Sequence, residues 1–268
     1  LSAKKVSEFI HFSEKPLNVD DKITSFESHN FTLALNQKEA VKKFFANRLS
    51  IITGGPGTGK STVLKAILDI QIQINPKSEI LFLAPTGKAS RRISQATGKQ
   101  AFTIHSGLNI KEDTNINDIE AVKADVVIVD EVSMCDQKLF TMLISSVNPR
   151  TTKLLLVGDA DQLPSVGARN VLNEFINCGK VPVTRLNLVY RQGKDSTIPK
   201  NAKKINNGIS SLIYDSEFQF IKADEQDDCF NAVINAYLAE IKRVGIENTC
   251  ILCPMKSRGK NCVNEYNK

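Results

Sequence analysis

The segment Gly54-Gly-Pro-Gly-Thr-Gly59-Lys60-Ser61 fits the pattern G-x-x-x-x-G-K-[ST], and its surroundings restrict the fold more than any other stretch of the chain. An apolar run with strand character, Leu49 to Thr53, precedes it. After it, Thr62 to Ile74 is apolar on nearly every side and stops at Asn75-Pro76, as a buried helix would. Strand, Gly-rich turn and helix in that order form a phosphate cradle. Glycines let backbone N–H groups curl around a β-phosphate, and the helix N-terminus adds its positive end. Lys60 is then expected to neutralise β/γ oxygens and the Ser61 hydroxyl to ligate Mg²⁺, with Gly55, Pro56, Gly57, Thr58, Gly59 and Thr62 completing the loop.

Strand and helix patterns alternate beyond this turn. Asn36 followed by Glu39 reads as a capping-box start, ahead of an apolar helix face formed by Val41, Phe44 and Phe45. Further strands are predicted at Ile80 to Ala84, Val126 to Val129 and Leu154 to Val157. Helices are predicted from about Lys88 to Ala96, and from a cap at Asp136 to a stop at Asn148-Pro149. Strands that are apolar throughout, separated by helices, predict an α/β domain whose parallel sheet is covered by helices on both faces. Asn109 to Ile119 is polar, lacks a period and reads as a surface loop.

A boundary is predicted near Gln192 to Ser196. Beyond it, Ile198, Ala202 and Ile205 support a helix ending at Gly208, and Asp228 to Val244 supports an amphipathic one. Phe218 to Ile221 and Thr249 to Cys253 read as strands, too few for a stable sheet of this type. Residues 194–268 therefore read as the incomplete start of a second α/β domain, 33–193 as the first domain, and 1–32 as a linker or remnant of something upstream. In a chain of 268 residues, 41% apolar and 24% charged, a real core can form, which excludes a disordered tail. The longest apolar runs are strand-sized, far short of the ~18 residues a membrane span needs. Leu1 to Phe12 has no apolar signal region, and six scattered cysteines read as reduced thiols, so a cytoplasmic location without a membrane partner is expected. Cys250-Ile-Leu-Cys253 has the spacing of half a zinc site without a second half, and reads as buried strand cysteines.

The net charge of +6 decides little; its distribution decides more. No acidic residue lies between Glu79 and Glu112, whereas Lys88, Arg91, Arg92, Lys99 and Lys111 do, a basic strip that suits a polyanion or is simply a solvated face. Asp130-Glu131 follows a predicted parallel strand, at the edge where α/β sheets bind ligands. Asp130 is expected to hold Mg²⁺ through water and Glu131 to polarise the attacking water. Gln162, in Gly158-Asp-Ala-Asp-Gln162-Leu-Pro164, follows another strand and can both donate to a γ-phosphate and accept from water. Arg191 sits at the seam between the domains, where a guanidinium can reach a phosphate.

Taken in order, these stretches resemble the superfamily-one DNA helicases and, within them, the RecD/TraA-like group. Beyond the glycine loop the matching stretches are Leu35-Asn-Gln37-Lys-Glu-Ala-Val, Ala84-Pro-Thr-Gly-Lys-Ala89, Thr103-Ile-His105, Val129-Asp-Glu-Val-Ser-Met134, Gly158 to Gly167, Tyr190-Arg-Gln192 and Cys253-Pro-Met-Lys. The resemblance implies a RecA-like fold for both domains and ATP as the nucleotide, with Gln37 reading adenine. It implies that Lys60, Asp130, Glu131, Gln162 and Arg191 serve hydrolysis, and that Thr86, Lys88, Thr103 and His105 contact single-stranded DNA, with Arg91 beside them. His105 fits a buried histidine tying down a loop equally well, and Phe102 fits a core aromatic better than a base platform. Two further family motifs, expected in the second domain, do not occur before Lys268, so unwinding by this polypeptide alone is not expected.

The expected function is thus the N-terminal ATPase portion of a 5′-to-3′ helicase or translocase that partners single-stranded DNA, ATP and other subunits of a recombination, repair or conjugation complex. The rival readings are a non-hydrolysing nucleotide- or DNA-binding module and a small-molecule P-loop kinase. A kinase has no use for Glu131 beside a water or for the motif order.

Overall fold

A computed structural model of the chain describes residues 2–12, 17–111, 113–163, 165, 167, 170–188 and 196–267. The chain divides into two compact units, Leu1–Gly193 and Lys194–Lys268.

The first unit opens with α1 (Ser2–His11), α2 (Asp20–His29) and α3 (Leu35–Ala46), and continues with β1 (Leu49–Thr53), α4 (Lys60–Ile74), β2 (Ile80–Ala84) and α5 (Gly87–Thr97). It is completed by β3 (Ala101–Thr103), α6 (Ile104–Gly107), β4 (Val126–Val129), α7 (Gln137–Ser146), β5 (Lys153–Gly158), α8 (Val171–Asn177) and β6 (Val183–Arg185). The six strands form one sheet in the order β3-β2-β4-β5-β1-β6, every pair parallel.

Alternation within each strand explains why no polar face was visible in the sequence. Val126 and Ile128 of β4 join Ile52, Phe82, Leu155 and Val157 in a core capped by α2, α3, α4 and α5. Val127 and Val129 turn the other way and join Ile51, Leu83, Leu154 and Leu156 under α1, α6, α7 and α8. Each face of the sheet is dry, so β2 and β4 are apolar at every position. In the polar stretch from Asn109 to Ile119, Ile110 packs against the second of these cores, and the described residues carry one short 3₁₀ turn, Ile116–Asp118.

Several expectations are corrected. The helices α1 and α2 contribute to the first unit's core: Phe9 of α1 is buried with α7, and Ile23 and Phe26 of α2 are buried against α4. The start of α3 lies at Ala34 rather than Asn36, because the Gln37 side chain reaches back and its Oε1 accepts from the Ala34 N–H at 3.0 Å. The second unit contains α9 (Thr197–Asn206), α10 (Gln226–Val244) and α11 (Val263–Tyr266), and no strand among its described residues. Phe218 to Ile221 and Thr249 to Cys253 are without a ladder partner, and a β-strand forms only where a neighbour takes up its N–H and C=O groups. Cys250 is accordingly exposed and Cys253 half-buried, both free thiols, instead of buried in a strand. Among the described residues no helix is long and apolar enough to cross a membrane.

The packing of α2 is open to test. Phe26→Ala should lower unfolding free energy by about 3–5 kcal/mol in a urea titration, the usual cost of emptying an aromatic core site. A change under about 0.5 kcal/mol, as on a surface, would return this segment to the status of a linker.

Candidate functional site

Because all six strands run the same way, their C-terminal ends share one edge. Pairing of Thr53 with Gly158, Leu83 with Val129, and Ala84 with Thr103 sets those ends side by side. The glycine loop leaves this edge after β1, Thr86 after β2, Asp130-Glu131 after β4 and Asp159 to Gln162 after β5. That edge is where parallel α/β sheets take ligands.

The loop is shaped by Gly59, which caps α4 in the left-handed region (φ 88°). A side chain there would also push on the end of the Gln37 amide, but it is the positive φ that selects glycine. Lys60 follows as the first residue of α4, and its Nζ donates to the carbonyls of Gly54 (2.5 Å) and Gly55 (3.1 Å), which holds the ammonium over the loop. Thr58 is buried, and its hydroxyl donates to Gly55 O at 2.8 Å. It braces the loop from within instead of facing a ligand. Gln37 is buried too: Oε1 is engaged by Ala34, while Nε2 lies against Gly59.

A cavity of about 810 Å³ opens over the loop. Its floor includes Gly55, Pro56, Gly57, Gly59 and Lys60. Gln37, Ser61 and Thr62 line it on the helix side, and Asp130, Glu131 and Gln162 line it as well. Of the predicted nucleotide residues, then, Thr58 stands behind the wall, and Arg191 lies outside the described residues.

The two carboxylates differ in their surroundings. Asp130 Oδ1 accepts from the Glu131 N–H at 2.9 Å, and burial raises its pKa against the opposing pull of that N–H, of Lys60 and of Arg92. Glu131 adopts φ 54°, ψ 35°, a left-handed conformation costing a non-glycine residue about 1–3 kcal/mol. Burial and the neighbouring Asp130 charge raise its pKa, with Lys60 and Arg92 opposing. Its Oε2 is buried without a hydrogen-bond partner, and its Oε1 lies 3.8 Å from Arg92 Nη1. Strained backbone and an unpaired carboxylate oxygen at one residue mark a group held for chemistry.

The donors fit a hard cation: the Ser61 hydroxyl is exposed to the cavity and Asp130 lines it, both offering oxygen. Among the described residues no three His, Cys, Asp or Glu side chains are grouped to enclose a metal. A Mg²⁺ here would complete its shell with phosphate oxygens and water, its ordinary habit at triphosphate sites.

Sequence reasoning missed three contributors. Arg92 was visible only as one charge of a strip, yet it lines the cavity beside Glu131. Phe31 lines the same cavity from the segment before α3, its ring supported edge-on by Phe26 at 5.3 Å. Asp159 is buried, its Oδ1 accepting from the Asp161 N–H at 3.0 Å, while Ala160 N–H donates to Thr53 Oγ1 at 3.1 Å and ties the β5 loop to β1. No local pattern announces these; all depend on which elements meet.

The residues expected to contact DNA lie on the β2–β3 side of the same edge. Lys88 and Arg91 project from α5 and are exposed. Thr86 caps α5 by accepting from Ala89 N–H at 3.3 Å, and Thr103 caps α6 by accepting from Ser106 N–H at 3.1 Å. Both threonine oxygens thus serve helix starts, with the hydroxyl protons still able to donate. His105 is exposed, which removes the buried-histidine alternative, and Phe102 is half-buried against the α7-side core.

Fold, glycine loop and paired carboxylates together define a P-loop nucleotide-binding domain of the RecA-like kind. Residues 37–168 match the model of a family described as an AAA domain. The chain is 38% identical over 177 residues to the ATP-dependent RecD2 DNA helicase of Deinococcus radiodurans, covering 66% of this chain and 24% of that protein. It is 36% identical over 179 residues to the RecBCD enzyme subunit RecD of Haemophilus influenzae, covering 58% and 28%. The chain thus spans about a quarter of the length of these two relatives. The fold matches that of the Pif1 helicase from Candida albicans with a TM-score of 0.52 at 21% identity, covering 76% of this chain and 55% of that one. Over the matched residues the chain is thus similar to RecD-like DNA helicases.

Proposed function

We propose that the cavity binds Mg-ATP and hydrolyses it, and that the complete protein couples this to 5′-to-3′ movement along single-stranded DNA. The observation that carries this reading is the convergence of Gln37, Lys60, Ser61, Asp130 and Glu131 on one cavity at the C-terminal edge of the sheet. Gln37 Nε2 is free to donate to an adenine ring nitrogen. Lys60 offsets charge on the β/γ oxygens, and the N–H groups at the start of α4 add the helix dipole. Glu131, through its unpartnered Oε2, accepts a proton from the attacking water, and Gln162 orients that water or the terminal phosphate. Mg²⁺, held by Ser61 and through water by Asp130, would supply charge neutralisation at the phosphates. Arg191 is assigned a second γ-phosphate contact by analogy with the family.

The strand is assigned to Thr86, Lys88, Arg91, Thr103 and His105, and residues 194–268 to the start of a second RecA-like domain. Other subunits of a recombination, repair or conjugation complex are the expected protein partners, in the cytoplasm; the H. influenzae relative is itself named as a subunit of the RecBCD enzyme. The test is phosphate release by the chain with and without an oligo-dT strand. A slow rate that the strand raises supports the reading. Nucleotide binding with no release under either condition would favour the non-hydrolysing module.

The strand track has its own test. Lys88→Ala combined with Arg91→Ala should weaken oligo-dT binding and lower the slope of log K against log salt by about 1.4, from ~0.7 per lost phosphate contact. An unchanged slope would make this face an ordinary solvated one.

A further inference from the structure

We propose that Arg92 is the residue by which this site distinguishes a triphosphate from a diphosphate, its guanidinium passing from Glu131 to the terminal phosphate when that phosphate is present. The inference rests on the cavity being the Mg-ATP site and goes beyond it by assigning the terminal phosphate a contact from Arg92 on α5.

The charges in the cavity motivate it. Among the described residues lining it, the cations are Lys60 and Arg92 and the anions Asp130 and Glu131. Side-chain charges therefore cancel, and a triphosphate entering beside two carboxylates needs each available cation. Lys60 is anchored over the loop by two carbonyls, at the β/γ position. Arg92 is held differently. At 3.8 Å its approach to Glu131 is longer than the 2.7–2.9 Å of a direct charge-assisted hydrogen bond. Its side chain is 60% exposed against 16% for Glu131, so it is the mobile partner of the pair.

Position decides which phosphate it meets. Glu131 is the group that addresses the attacking water, which must lie beyond the terminal phosphorus in line with the bond that breaks. A guanidinium 3.8 Å from Glu131 is therefore on the side of the cavity where that water would lie. A phosphate presents planar, bidentate acceptors of higher charge than the single carboxylate oxygen it now faces, so the guanidinium prefers it. The transfer also frees Glu131 Oε1, leaving the whole carboxylate for water at the moment a hydrolysable phosphate is in place. α5 sets the lever: Arg92 and Gln95 line the cavity from the helix whose preceding turn carries Lys88.

The test needs no turnover. Dissociation constants of the full chain for Mg-AMP-PNP and Mg-ADP are measured by isothermal titration calorimetry for the native chain, Arg92→Ala, Arg92→Lys and Glu131→Gln. Arg92→Ala should reduce the preference for AMP-PNP over ADP by about 10-fold, the scale of one charge-assisted hydrogen-bonded contact. Arg92→Lys, which keeps charge without the fork, should recover part of it. Glu131→Gln, which removes the competitor for the guanidinium, should raise the preference about threefold. An equal loss for both nucleotides in Arg92→Ala, or no loss for either, overturns the inference while leaving the nucleotide site intact. A native chain that binds neither ligand overturns the site itself, and this inference with it.

Discussion

Lys60→Ala is expected to weaken Mg-ATP binding about 100-fold or more and to reduce phosphate release to background. The side chain is the anchored cation of the loop, and the β/γ oxygens it would meet lie in a concave, partly dehydrated site where a charge-assisted hydrogen bond contributes about 1.5–3 kcal/mol. Two such bonds lost together give the stated factor. The fold should survive, because Lys60 caps no core: its Nζ bonds are to Gly54 and Gly55 of an accessible loop. Calorimetric titration with Mg-ATP, alongside circular dichroism of the variant, checks both parts. Binding retained within twofold would remove the loop from the nucleotide site.

The second large effect concerns turnover alone. Glu131→Gln keeps the shape of the side chain and removes its ability to take a proton, so strand-stimulated phosphate release should fall by ~10²–10⁴, the ordinary contribution of a positioned general base. ATP affinity should stay within a few fold, since the amide lifts one negative charge from beside the phosphates. The separation matters. Loss of binding and rate together would indicate that Glu131 shapes the site, which its left-handed backbone makes a real competing role. A variant keeping more than a third of the native rate would show that the proton goes elsewhere.

How much of this was legible beforehand depends on the range over which each feature is determined. Strand β4, its flanking residues and the Asp136 cap of α7 were readable because each is set by neighbours in sequence; Asp136 Oδ1 does accept from Leu139 N–H, at 2.8 Å. The three-residue strands β3 and β6 are too short to show a period. The packing of α1 and α2 was not legible because the partners of Phe9 and Phe26 are α7 and α4, far along the chain, and a few apolar residues without visible partners resemble a linker. The second unit's apolar runs were read as strands on propensity, which cannot say whether a neighbouring strand exists. In the site, the glycine loop and Asp130-Glu131 were legible because their chemistry fixes spacing. Arg92 and Phe31 were not, since which face of α5 meets Glu131 is a matter of packing.

The most direct test of a Mg-ATP site on the sheet's C-terminal edge is a crystal structure of the chain grown with Mg²⁺, ADP and aluminium fluoride. The expected result places the phosphates on the N–H groups of the glycine loop with Lys60 at the β-phosphate, the base beside Gln37 and the fluoride group between Lys60 and Glu131. A nucleotide bound anywhere else on the chain, or a loop from Gly54 to Ser61 left untouched at saturating ligand, would contradict it.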